Sequence, residues 1–115
     1  MTFFETGKVT VTATHGTIFE MLMQAPTKFS FELRNDDDDG SGDDLDEFYV
    51  QVKPHEDSDW LTVMTQENLG AGQFPVAIDE QVHLIIIVDF AYSVRFTAGA
   101  TGTGPQQVSM RGWHG

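Results

Sequence analysis

The chain has 115 residues, 40% of them apolar and none of them cysteine. A single domain with its own core is therefore expected, and neither a disulfide framework nor a thiolate metal site can form. Eighteen acidic residues against six Lys and Arg give a formal charge of −12, a surface that repels nucleic-acid phosphates and anionic membranes, so neither is an expected partner.

The first eight residues, Met1 to Lys8, have neither a basic n-region nor an apolar h-region. No signal peptide is expected, and the longest apolar run is too short to span a bilayer, so the chain reads as soluble and made without Sec export. Residues 8–13 alternate polar and apolar and predict the first strand. His15-Gly16 predicts a turn. Thr17–Met23 fits a short helix as well as a strand, because periodicity does not separate the two over so few residues. After Pro26, residues 28–34 predict a strand with Phe29, Phe31 and Leu33 inward.

Residues 35–47 form an acidic run, Asn-Asp-Asp-Asp-Asp-Gly-Ser-Gly-Asp-Asp-Leu-Asp-Glu, which predicts a loop between two strands. Residues 48–53 restore the alternation, residues 54–59 make a polar turn, and Trp60–Met64 predicts the return strand of a hairpin. Residues 68–73 are a Gly-rich connection, and residues 74–78 predict a short edge strand, where Pro75 is tolerated. Gln81–Val88 carries Leu84-Ile-Ile-Ile-Val88, an almost wholly β-branched run. Such residues pack well on a pleated surface, and the run predicts a central strand covered on both faces. Tyr92–Ala98 alternates and predicts a strand with one face wet. Residues 99–105 read as a turn, because a phosphate loop would need a terminal Lys-Ser/Thr and a following helix. Residues 107–111 predict the last strand, with 112–115 as a tail.

About seven to nine short strands at turn-punctuated intervals predict an all-β single domain spanning 1–115, a β-sandwich or jelly roll. No repeat or linker divides it.

The acidic loop is the most chemically loaded stretch. Ca²⁺ takes six to eight oxygen ligands, and Asp side chains spaced around a Gly bend can supply them. Against the EF-hand spacing, Asn35, Asp37, Asp39, Gly40, Ser41, Asp43 and Asp46 fall in place, with Asp37, Asp39, Asp43 and Asp46 as the candidate metal ligands. The departures are Asn at the first position, Asp at the last, Gly42 where an apolar residue belongs, and flanks that read as strands. The competing reading is a solvated loop extended by its own charge, with no cofactor at all. The four His residues show no metal-ligand pair, and Ser58 beside His55 and Asp57 lacks a nucleophile elbow, so no catalytic set is assembled and no enzyme is expected. Trp60 is expected to be a core residue closing one end of the sandwich. Phe3, Phe4 and Trp113, in chain ends outside the strand pattern, are the candidate interface residues, and segments 1–7 and 112–115 the candidate docking termini.

The hairpin Phe48-Tyr-Val-Gln-Val-Lys to Asp57-Ser-Asp-Trp60-Leu-Thr-Val63 resembles a pattern of small virion proteins of tailed bacteriophages. So do Tyr92-Ser-Val-Arg-Phe-Thr, the Gly/Thr turn after it, and Val108-Ser-Met-Arg-Gly112. The likeness covers residues 48–112 and rests on general β vocabulary. It implies a non-enzymatic structural role, above all a capsid decoration or cement protein, or a tail or head–tail connector component. It further implies assembly in the host cytoplasm, residence in the virion, and the major capsid protein or other virion proteins as partners. A small acidic sandwich with apolar ends also suits a homo-oligomer. The alternative from another class is a calcium-dependent carbohydrate-binding sandwich module.

Overall fold

A computed structural model describes residues 1–11, 15–36, 44–69, 72–99 and 105–115. Among them nine strands form two antiparallel sheets: β1 (Thr2–Glu5), β2 (Val9–Val11), β3 (Gly16–Leu22), β4 (Thr27–Asn35), β5 (Glu47–Lys53), β6 (Leu61–Thr65), β7 (Gln81–Val88), β8 (Ser93–Gly99) and β9 (Gln106–His114). One sheet runs β1-β9-β4-β7, with β2 also pairing β9, and the other runs β3-β8-β5-β6. The architecture is the predicted all-β sandwich, and Thr17–Leu22 of the ambiguous segment lies in strand β3. The only described helical piece is a single 3₁₀ turn, Gln66–Asn68, capped by Thr65.

Alternation places the core. Thr27, Phe29, Phe31 and Leu33 of β4 face inward, as do Phe48, Val50 and Val52 of β5, and Leu84, Ile86 and Val88 of β7. Phe96 of β8 sits at the centre, with ring centroids 5.0 Å from Phe29, 5.5 Å from Phe31, 5.8 Å from Phe48 and 6.1 Å from Phe19. Edge-to-face and offset pairs of this kind add to the burial of the rings themselves.

Four expectations reverse. β7 is an edge strand of its sheet, with Ile85 and Ile87 on the outside, whereas β8 lies between β3 and β5 and is buried on both faces. Ser93 and Thr97 of β8 are buried although polar, because neighbouring side chains cover them. The terminal segments are not loose tails. β1 pairs with the end of β9, from Thr2↔His114 to Glu5↔Arg111, and Gly115 exchanges both backbone hydrogen bonds with Lys28 at 3.0 Å. Residues 74–78 contribute only a bridge, Leu45↔Val76, in place of a strand.

A largely buried polar cluster ties β4 to β9 at Asn35 and Asp36. Asn35 donates from Nδ2 to the Val76 carbonyl at 2.9 Å and accepts from Gln106 Nε2 at 2.5 Å. Asp36 accepts from Arg34 Nε at 2.8 Å and from the Ser109 hydroxyl.

Candidate interaction surface

Strand register sets the outer face of the β1-β9-β4-β7 sheet. Side chains of paired residues stand side by side on one face, so Phe3, Trp113, Ser30 and Ile85 form one row across it. The row on one side holds Lys28 and Ile87, and the row on the other holds Glu5, Arg111, Glu32 and His83. The large apolar side chains of the face thus lie towards the chain ends, beside Lys28, and the carboxylates away from them. Phe3 is 49% exposed and Trp113 48%, and their rings meet edge to face at 5.2 Å. Ile85 and Ile87 are 58% and 61% exposed, and Phe90, just past β7, is 77% exposed. Five large apolar side chains left out on and beside one sheet face make it the candidate interaction surface.

Of the expected interface residues, Phe3 and Trp113 lie together on this face. Phe4 does not. It points to the other side of the sheet, is 7% exposed, and stacks in the core against Phe19 at 4.7 Å and Phe31 at 6.1 Å. The reason is the period of a strand: residues next to each other in β1 must face opposite ways. Ile85, Ile87 and Phe90 were missed by the sequence reading, which took the β-branched run as buried on both sides.

Two clefts flank this face. One of about 390 Å³ is lined by Glu5, Gly7, Lys8, Glu32, Arg34, Ser109, Met110 and Arg111. Its charges are largely paired with one another, for example Arg111 with Glu32 at 3.4 Å and Arg34 with Asp36 at 2.8 Å. The other, about 240 Å³, is more apolar and lies between the two sheet edges, with Val63 and Met64 of β6 facing Ile87, Val88 and Phe90.

The outer face of the β3-β8-β5-β6 sheet is mostly polar, with Leu22 exposed at its β3 edge. Trp60 is partly exposed here and does not close the core, as the sequence suggested. The Arg95 guanidinium lies 4.4 Å from its ring centre and Lys53 Nζ 5.6 Å, and Arg95 also donates to Gln51 Oε1 at 2.7 Å. The Tyr49 ring stacks on His15 with centroids 3.8 Å apart. His15 Nε2 lies 2.8 Å from Glu47 Oε2, and its Nδ1 lies 3.2 Å from Thr97 Oγ1. A carboxylate, an imidazole and a hydroxyl in line have the order of a nucleophile relay. Thr97 is only 4% exposed, and it lines neither of the two clefts.

Asp37, Asp39 and Asp43 lie outside the described residues. Asp46 is half-buried beside the Leu45–Val76 bridge, and Asn35, the first position of the EF-hand spacing, is fully buried with its side chain committed to Val76 and Gln106. Among the described residues no three His, Asp or Glu side chains converge on a common centre. No protein-family model, curated protein or solved structure matches the chain.

Proposed function

We propose that the protein is a non-enzymatic structural component of a tailed-bacteriophage virion, a decoration or cement protein that binds the major capsid protein from outside. The observation that supports this reading is the Phe3–Trp113 ring pair, held at 5.2 Å on the outer face of the sheet with each ring about half exposed. An aromatic pair that loses little side-chain entropy on docking is the kind of group that dominates protein interfaces. The charged row Glu5, Arg111, Glu32 and His83 beside it supplies a polar rim, the usual surround of such a centre. A tail or head–tail position uses the same surface against another virion protein.

The carbohydrate-binding alternative needs bare, coplanar aromatic faces. Trp60 and Tyr49 are covered by Arg95 and His15 respectively, Phe4 is buried, and Phe3 and Trp113 meet at 68° and so are not coplanar, which disfavours it.

The test uses purified particles of the phage whose genome carries this coding sequence. Mass spectrometry of those particles is expected to find the chain at a copy number tied to capsid symmetry. Particles free of the chain, with the protein left entirely in the lysate, would overturn the proposal.

A further inference from the structure

The sandwich has four sheet edges, and they are not alike. At the β1/β2 edge the strand is broken at Thr6–Lys8, where Gly7 takes a left-handed φ of 65°, and it carries Glu5 and Lys8. The β3 edge is interrupted by a bulge between Thr17 and Phe19 and carries Glu20. The β6 edge is five residues long and is bulged where Gln51 pairs with Thr62 and Val50 with Met64. Bulges, charges and short strands are the devices that keep a sheet edge from pairing with another chain. β7 has none of them. It runs eight residues without a register shift, and from Gln81 to Val88 it contains no Asp, Glu, Lys or Arg, in a chain of net charge −12.

The hydrogen-bond parity of the ladder tells which groups β7 offers. Lys28 and Gly115 exchange both backbone bonds, so even-numbered residues of β4 bond to β9 and odd-numbered ones to β7. Through the register Phe31↔Leu84, the residues of β7 that bond inward are Val82, Leu84, Ile86 and Val88. The N–H and C=O groups of Gln81, His83, Ile85 and Ile87 point out of the edge and meet no backbone partner among the described residues.

We propose that two copies of this chain associate edge to edge through β7, antiparallel about a twofold axis at Leu84, so that the two five-stranded sheets become one continuous sheet. In that register Gln81 of one copy lies opposite Ile87 of the other and His83 opposite Ile85, so every outward backbone group named above finds a partner. Leu84 meets its own copy in the core layer, and on the outer face the two Ile85 side chains lie diagonally across the seam, each opposite His83, with Ile87 opposite Gln81. A second copy suits the edge better than an unrelated strand because this spacing is self-complementary and the seam brings no charge onto charge along its length.

The area is adequate for a reversible dimer. An eight-residue strand is about 27 Å long and two stacked sheet edges make a wall roughly 20 Å thick. That gives on the order of 500 Å² per copy and about 1,000 Å² in total, at the lower bound of specific interfaces. β6, with Leu61 and Val63 half-exposed at the same side of the sandwich, supplies the second edge of that wall. Two copies of a chain of net charge −12 repel one another at any distance the ions do not screen. The dimer is therefore expected to tighten as salt rises, the reverse of an ion-paired interface. This inference does not depend on the virion reading, since it concerns the purified chain alone.

Sedimentation velocity of the full chain from about 1 µM to about 1 mM, a range bracketing weak complexes, reads the outcome. A concentration-dependent dimer is expected, tightening severalfold between about 20 mM and about 500 mM NaCl. Ile85→Lys should abolish it. So should Ile85→Pro, which removes an outward N–H that the β4–β7 ladder does not use. Trp113→Ala should leave it intact, and amide exchange at His83 and Ile85 should slow as the dimer fills. A monomer throughout, or a dimer lost in Trp113→Ala and kept in folded Ile85→Lys, overturns the proposal.

Discussion

Truncating Phe4 removes a ring that touches Phe19, Phe29, Phe31 and His114 in the core. Phe4→Ala is expected to cost about 3–5 kcal/mol in urea unfolding, while Phe3→Ala, on the outer face, should cost within about 1 kcal/mol. Equal losses would contradict the assignment of the two rings to opposite faces. Gly112 sets a second test. A Cβ there would stand 2.2 Å from the Ser30 carbonyl oxygen and 2.5 Å from Phe31 Cα. Both are backbone and cannot swing aside, so Gly112→Ala should destabilise by at least about 2 kcal/mol through overpacking between β9 and β4. The close approach belongs to one residue, and the sequence carried no sign of it beyond a glycine in a tail-like stretch.

At the level of the elements, deletion of residues 1–7 no longer reads as the removal of a free docking arm. It takes β1 out of the sheet and Phe4 out of the core, and it exposes the end of β9. Such a deletion is expected to lower the thermal midpoint sharply, and a truncated chain that melts unchanged would contradict the role of β1. Alternation made β4, β5 and the β5–β6 hairpin legible in advance, because their inward residues are large and their outward ones polar. β7 misled for the opposite reason: its outward residues are as apolar as its inward ones, and composition alone does not say which strand occupies an edge. β8 misled in turn, since Thr97 and Ser93 are polar yet covered by neighbours from adjacent strands. Phe3 and Trp113 were legible as candidates because both lay outside the strand patterns then recognised, but their pairing follows from register, which depends on contacts over a hundred residues apart.

For the molecule as a whole, a charge of −12 on a small domain works against the compact state. Raising NaCl from about 20 mM to about 500 mM screens that repulsion, so the thermal midpoint is expected to rise. A falling midpoint would mean that ion pairs such as Arg111–Glu32 outweigh the repulsion. The same charge is absent from β7 between Gln81 and Val88, the edge proposed to pair with a second copy. The most direct test of the virion reading is equilibrium pelleting of the full chain with stripped particles of the phage that carries its coding sequence, comparing wild type with Trp113→Ala. Saturable occupancy for the wild type and at least about a tenfold loss of affinity for the variant, the loss expected for an aromatic at the centre of an interface, is the predicted result. No saturable binding, or equal binding by the two proteins, would contradict the account.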